Sequence, residues 1–201
     1  MAGVGMLHPV VATVATYTDG QEPTYNAGMV IGHAIQGDLA LTRNNNPLHG
    51  DDVIVEDDNG VTSATLTLGV DDIVEAVQAY MLNIEAKTTG EGATAQTDYY
   101  LHGDSAPQVG VGFCRVLRRN GVTVYNPVWL YRAVFGRDNE NAATKTESVT
   151  WQTPTLTGRC MGTYIDASGK AYFYRARVYP ATTAGAAEAA LDWLDGMANI
   201  T

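Results

Sequence analysis

One stretch of the sequence, VGVGFCRVLRRNGVTVYNPVWLYRAVF at 109–135, constrains the fold more than any other. At its middle stands Asn120-Gly121, a pair that takes positive φ at little steric cost and so closes a two-residue primed turn whose twist matches that of the strands it joins. The arms on either side are rich in Val, Phe and Tyr, residues that fit a pleated, half-buried surface. An antiparallel hairpin is therefore expected here. The GVGF at 110–113 lacks the third glycine of a dinucleotide-binding fingerprint and leads into a strand, not a helix. Its glycines instead mark places where another backbone or a bulky side chain comes close.

Strand signals dominate the rest of the chain. VVATVATY at 10–17 is β-branched and aromatic, 28–43 reads as extended with glycine interruptions, and VTSATLTL at 61–68 alternates hydroxyl and apolar residues at period two. A second antiparallel pair is expected to run from 147 to 165, turn at DASGK (166–170) and return through 171–179. Two segments carry a helical period instead. In one, Ile73, Val77, Tyr80, Met81 and Ile84 share a stripe, with Asp71, Asp72 and Glu75 at the positive end of the helix dipole. The other spans about 184–197, with Leu191 and Leu194 on one stripe and Thr182 and Thr183 as possible caps. Segments 85–108 and 136–147 read as long Gly, Thr, Asn and Asp-rich loops. The fold class is thus mainly β with α: an antiparallel sandwich or barrel-like domain over 1–201, one flanking amphipathic helix, and a C-terminal helix and tail at 184–201.

Composition narrows the function classes. Twelve basic against 22 acidic residues give a net charge of -10, which argues against a protein that grips nucleic acid, because phosphate binding needs clustered Lys and Arg. No run approaches the roughly 20 apolar residues of a membrane helix, and no basic flank or long apolar segment at the start reads as a signal. A soluble protein made in the cytoplasm is expected, with no membrane partner. Cys114 and Cys160 are far apart and form no CxxC pair, so reduced thiols are expected rather than a disulfide or zinc site.

Catalytic patterns are thin. The histidines lie at 8, 33, 49 and 102, and LHGD occurs at 48–51 and again at 101–104. Two His-x-Asp pairs are a conceivable metal set, but coincidence in turn-rich loops accounts for them. No GxSxG, Walker or HExxH pattern is present. The expected protein is not an enzyme and uses no cofactor.

The densest cluster of oxygen ligands is NNNPLHGDDVIVEDDNG at 44–60. A calcium loop needs oxygens at positions one, three and five, glycine at six and glutamate at twelve. With Gly60 sixth, Asp57 and Asn59 fit, but Val55 falls first and Leu66 twelfth, so that reading fails. The acids also have no evident pocket in which one pKa is shifted for acid-base work. What remains is a solvated tip or an assembly loop. In the second case, which a family resemblance implies, Val53 to Val55 pair with or bury against a neighbour, and Asp51, Asp52, Glu56, Asp57 and Asp58 line a channel or meet Arg118, Arg119, Arg137 and Lys145 of another copy.

The order of these pieces resembles a family. NNNPLHGDDVIVEDDNGVTSATLTLGVDDI is similar to a segment of the major tail tube proteins of phages with long non-contractile tails. In that segment an NPLYADN-like loop and an acidic stretch precede a Thr and Leu strand ending in LGVDDL. DSAPQVGVGFCRVLRRNGVTVYNPVWLYRAVF resembles the same family's Pro-x-Val-Gly-x-Gly-aromatic strand, Asn-Gly hairpin and Trp-Leu-Tyr return strand, and ESVTWQTPTLTGR its Gln-Thr-Pro-Thr-Leu strand. The similarity covers about 40–195. His49 departs from it, since an aromatic is more usual there, and the first 40 residues do not match.

The resemblance implies a β-sandwich subunit that forms homohexameric rings. These stack into a tube assembled in the host bacterial cytoplasm and carried in the virion tail, through which viral DNA leaves. It also implies tape measure, tail terminator and tail tip proteins as further partners, with DNA only in transit. Six copies at -10 each carry about -60, and a wall of that sign repels phosphate so that a duplex slides. Residues 1–9, 44–60 and 136–147 are then expected to order on assembly. The alternative is a cytosolic β-sandwich module that binds a carbohydrate or small ligand on Tyr99, Tyr100, Trp151 and Tyr164, although core packing is the plainer use of those rings. A hydrolase using the acidic loop is a third reading.

Overall fold

Nearly every backbone group between 109 and 136 is drawn into strand pairing, and the domain is built around that ladder. The structure is a computed structural model that describes residues 2–51, 53–82, 84–92, 95–101, 105–136 and 153–199. Along the chain come β1 (Ala2–Thr16), β2 (Thr24–Tyr25), β3 (Met29–Val30), β4 (Ala34–Arg43), β5 (Asn46–Gly50), β6 (Val53–Asp58) and β7 (Val61–Val70). Helix α1 (Glu75–Leu82) follows, then β8 (Ile84–Thr89), β9 (Gln96–Leu101), β10 (Val109–Arg119), β11 (Val122–Gly136) and β12 (Thr155–Cys160). The chain continues through β13 (Tyr174–Ala176) and β14 (Tyr179–Pro180) to α2 (Ala186–Ala198).

The main sheet is antiparallel, in the order β2-β1-β10-β11-β12-β7-β4, with β3 on β1 and β13 and β14 on β11. Its long strands curl until β4 approaches β1, where Met6 packs on Gly37. The result is mainly antiparallel β with two helices and a barrel-like closure, the expected class. Among the described residues no helix is long and apolar enough to cross a membrane.

Period two sorts the central strands between two cores. In β10, Val109, Val111 and Phe113 face the core that contains α1, and Gly110, Gly112 and Cys114 face the one under α2. In β11, Val128 and Leu130 join the first core, Trp129 and Tyr131 the second. Pairing of Val111 with Leu130 but Val109 with Ala133 leaves one extra residue on β11. That bulge reverses the alternation, so Ala133 and Phe135 return to the first core. The hairpin turn takes the expected geometry, with φ of 51° at Asn120 and 80° at Gly121.

The two glycines of GVGF have a steric cause. A Cβ on Gly112 would lie 2.6 Å from Trp129 Cε3 and 2.7 Å from Leu194 Cδ2, and one on Gly110 would also strike the indole and Tyr25. The bare backbone there makes room for Trp129, which is fully buried.

Both helices lie where the apolar stripes put them, with shorter or shifted ends. Ile73, Val77 and Met81 are buried at α1, while Asp71 and Asp72 precede it. Asp71 instead accepts from the backbone N of His33 at 2.7 Å and contacts its Nδ1 at 2.8 Å, and the backbone bond above all holds the carboxyl below the usual range. In α2, Ala186, Ala190, Leu194 and Ala198 form the buried stripe, with Leu191 only partly buried. Its N-cap is not Thr182 or Thr183 but Gly185, in the left-handed region without a side-chain cap.

Three other expectations are corrected. The segment 1–9, expected to order on assembly, is already paired within the protomer from Ala2 on, since Ala2–Leu7 pairs with Cys114–Arg118. Residues 85–108 are not all loop: β8 and β9 pair in unbroken register from Ile84–Leu101 to Thr89–Gln96, aided by a 2.9 Å contact between the Thr88 and Thr97 hydroxyls. The 147–179 hairpin does not form as a ladder. One bridge, Thr163 to Tyr172, spans the turn, because β12 pairs with β11 and β7 while β13 takes another part of β11. β11 is long enough to draw both flanks to itself.

Candidate assembly surface

The stretch 44–60 is not a loop. The β4–β7 ladder pairs Arg43 with Val61, the Asn44 amide donates to Gly60 O at 2.7 Å, and Asn46–Asp58, Pro47–Asp57 and Leu48–Glu56 continue in the same register. β7 leaves its other neighbour, β12, at Ala64. Beyond that point the two strands run on as a ribbon, about 25 Å from Arg43 to the tip at strand rise. Near the tip the register slips between Leu48 and His49, and Asp51 turns the chain with a φ of 50°.

This arm is apolar where none of the described residues covers it. Val53, Ile54 and Val55 are 62, 61 and 66 % exposed, and successive strand residues point to opposite faces, so both faces of the ribbon carry hydrocarbon to solvent. Asp51 and Glu56 are exposed too, and among the described residues neither carboxylate forms an ion pair. Asp57 and Asp58 lie in β6, and Asp52 lies outside the described residues. The expected basic partners separate in the same way. Arg118 and Arg119 are exposed at the end of β10, opposite Thr123 and Val122, whereas Arg137 and Lys145 lie outside the described residues, as does the rest of the 137–152 stretch.

A basic residue that the sequence reading passed over is Arg115. It is half-buried on β10, opposite Asn126. Its Nη2 donates to Asn126 Oδ1 at 2.7 Å, and Asn126 Nδ2 donates to Arg177 O at 2.6 Å. Its Nε is buried with no hydrogen-bond partner. Period-two counting from Val111 and Phe113 puts Arg115 on the core face, which was the signal available for it.

The other candidate sites disperse. Tyr99 and Tyr100 are consecutive in β9 and so face opposite sides of their hairpin. With Tyr164 they are exposed, not core residues, and they form no common platform; Trp151 lies outside the described residues. His49 of the first LHGD is exposed, while 102–104 of the second lie outside the described residues. No three His, Cys, Asp or Glu gather as metal ligands among the described residues. Cys114 and Cys160 are buried free thiols, pushed up by burial to about 11 and about 12.

A polar network that runs from the buried Trp129 out to the surface is structural. Trp129 Nε1 donates to Tyr25 OH at 3.1 Å, Tyr25 OH donates to Tyr131 O at 2.9 Å, and Tyr131 OH and Arg175 Nη1 donate to Glu22 Oε1 at 3.3 and 3.2 Å. Burial raises both phenols, Tyr131 to about 12. Neither is poised to exchange a proton near neutral pH.

No protein-family model and no curated protein matches the chain.

Proposed function

We propose that this chain is a structural subunit that assembles with copies of itself, as the major tail tube protein of a phage with a long non-contractile tail. Six copies close a ring, rings stack into a tube in the host cell, and the finished virion passes its DNA through that tube. The observation that carries the reading is the arm: a ribbon extending about 25 Å from the sheet, with Val53, Ile54 and Val55 all more than 60 % exposed. An isolated two-stranded ribbon is marginally stable in water, and three adjacent exposed β-branched residues gain free energy when another surface covers them. β4 supports the same reading, because among the described residues only β7 pairs with it, and away from its approach to β1 at Gly37 the second edge invites a further strand. The order of motifs that resembles the tail tube family narrows self-assembly to that class, and a net charge of -10 suits a wall that DNA must not adhere to. The tape measure, tail terminator and tail tip proteins are the further partners this reading brings, with no cofactor and no catalytic role.

Electron microscopy of the purified protein over a range of concentrations tests it, together with a variant lacking 48–58 closed by a short glycine linker. Rings or tubes are expected from the parent chain. The deletion variant should be a folded protomer that forms none or only short ones, since none of the described residues of 48–58 belongs to either core. A parent chain that stays monomeric at every concentration overturns the proposal, and normal tubes from the deletion variant remove the arm from it.

A further inference from the structure

Among the described residues, the ribbon of β8 and β9 pairs with no other strand, so both its outer edges are open. Its six cross-strand pairs run without a bulge or a proline, and its described residues from Glu85 to Tyr100 are all exposed. β4 has an open edge of the same kind: beyond Gly37, where Met6 packs, Asp38–Arg43 pairs only with β7. Other open edges are short or interrupted. β2, β3, β13 and β14 run two or three residues, β5 holds Pro47, β6 bulges at Val55 and β1 at Val4. A proline lacks the donor and a bulge breaks the ladder. The ribbon and β4 therefore hold the regular edges on which a further strand can pair.

Their side chains match in one register. On β4, Leu39 packs on the α1 core and Leu41 shares its face, still 40 % exposed, while Asp38 and Ala40 point the other way. On the ribbon, Ile84, Ala86 and Tyr99 share an uncharged face, and Glu85, Lys87, Asp98 and Tyr100 the opposite one. Every described ladder of this chain is antiparallel. Laid together in that sense, β4 and β8 have one register in which the uncharged faces coincide and a charge meets its opposite. It sets Asp38 across from Lys87, Leu39 from Ala86, Ala40 from Glu85 and Leu41 from Ile84. Lys87 already stands opposite Asp98 and contacts Glu85 Oε1 at 3.3 Å, so it would lie in a row between two aspartates. Asp38 forms no ion pair among the described residues. On the other face, Ala86 is small, and the exposed Tyr99 ring opposite it can lean across toward Leu39. β9 has no basic residue to meet Asp38, which favours β8.

We infer that β8 of a second copy of this chain adds to the open edge of β4, antiparallel, with Asp38 across from Lys87 and Leu39 across from Ala86. This rests on the self-assembly reading and names the two edges that join. Because they are different edges, each copy offers β4 to one neighbour and β8 to the other, and the contact repeats around a ring.

Cysteine pairing and charge exchange test it. Ala40→Cys in one batch of protein is mixed with Glu85→Cys in another, assembled and oxidised. Both positions are exposed in the protomer, and a disulfide-linked dimer on a non-reducing gel is expected. A control pairing Ala40→Cys with Asp98→Cys should give none, since β9 lies one strand further on, about 10 Å away. Asp38→Lys, which sets two lysines across from each other, should raise the concentration needed for assembly roughly threefold to tenfold. Adding Lys87→Gln removes that repulsion and should recover part of the loss. Rings or tubes that form while the Ala40 and Glu85 cysteines stay unlinked, and while Asp38→Lys assembles at the parent concentration, overturn this inference and leave the tail tube reading standing. So does a link to Asp98→Cys in its place, which puts β9 on the edge. A parent chain that never assembles overturns both.

Discussion

Val128–Tyr131 of β11 and Val53–Val55 of β6 are both runs of adjacent apolar residues in antiparallel pairs, yet the first is buried on both faces and the second is exposed on both. Each lies within a paired ladder, Val55 at a bulge in it, so the ladder is not what differs. The difference is a third layer. β11 has the α1 core on one side and α2 on the other, with Trp129 seated over two glycines and against Leu194. The arm has left both helices and β12 behind, and among the described residues nothing lies across it. Strand pairing satisfies polar groups, and only a covering layer removes hydrocarbon from water.

That contrast is easiest to break at its most buried point. Trp129→Ala should cost about 3–5 kcal/mol of stability in urea unfolding, since it empties the space under α2 and removes the donor to Tyr25. Next in size, Gly112→Ala drives a methyl to 2.6 Å from the indole, and a loss on the order of 1–3 kcal/mol is expected by the same measurement. The arm should answer in the opposite sense. Replacing Val53, Ile54 and Val55 together by Ser, Thr and Ser should change protomer stability by no more than about 0.5 kcal/mol, while sedimentation shows assembly lost. A large fall in protomer stability would show that the arm packs on its own body after all.

The smallest expected effect is chemical. Cys114 and Cys160 should resist iodoacetamide at pH 8 in the folded protomer and react once it is unfolded, as followed by mass spectrometry. Their thiols are raised in the fold to about 11 and about 12, chiefly by burial. The stability that comes from keeping them neutral is therefore complete below the ordinary thiol range and is lost as pH rises from there through 11 and 12.

Local chemistry was legible in the sequence wherever one residue type had one use. Asn120-Gly121 announced its turn, GVGF announced a bulky neighbour, and the alternation of Val61–Val70 matches a strand buried on one face along its middle. The two helices followed from their apolar stripes. What stayed hidden were choices between competing partners. Nothing in 147–179 says that both its strands prefer β11 to each other. Gly185 caps α2 although Thr182 and Thr183 stand nearby, because a cap depends on where the chain arrives. The stretch 44–60 carries turn residues and acids that favour a loop, and its extension is imposed by the ladder already running in β4 and β7. Arg115 was missed because a charged residue in an apolar strand reads as a surface position unless its face is counted.

The place of β1 in the sheet has a consequence in time. β4 with β7 and β10 with β11 are local pairs, but β1 meets β10 across 96 residues at Thr13–Val109 and 116 at Ala2–Arg118. Closing so long a loop carries the larger entropic cost and is slow. On the ribosome, at about 5–20 residues per second, VVATVAT emerges ahead of β10 and waits on the order of 5–20 s before its partner exists. β1 thus cannot be placed until the chain has been made as far as β10, and until it docks, neither the barrel nor the ground beneath α2 is complete.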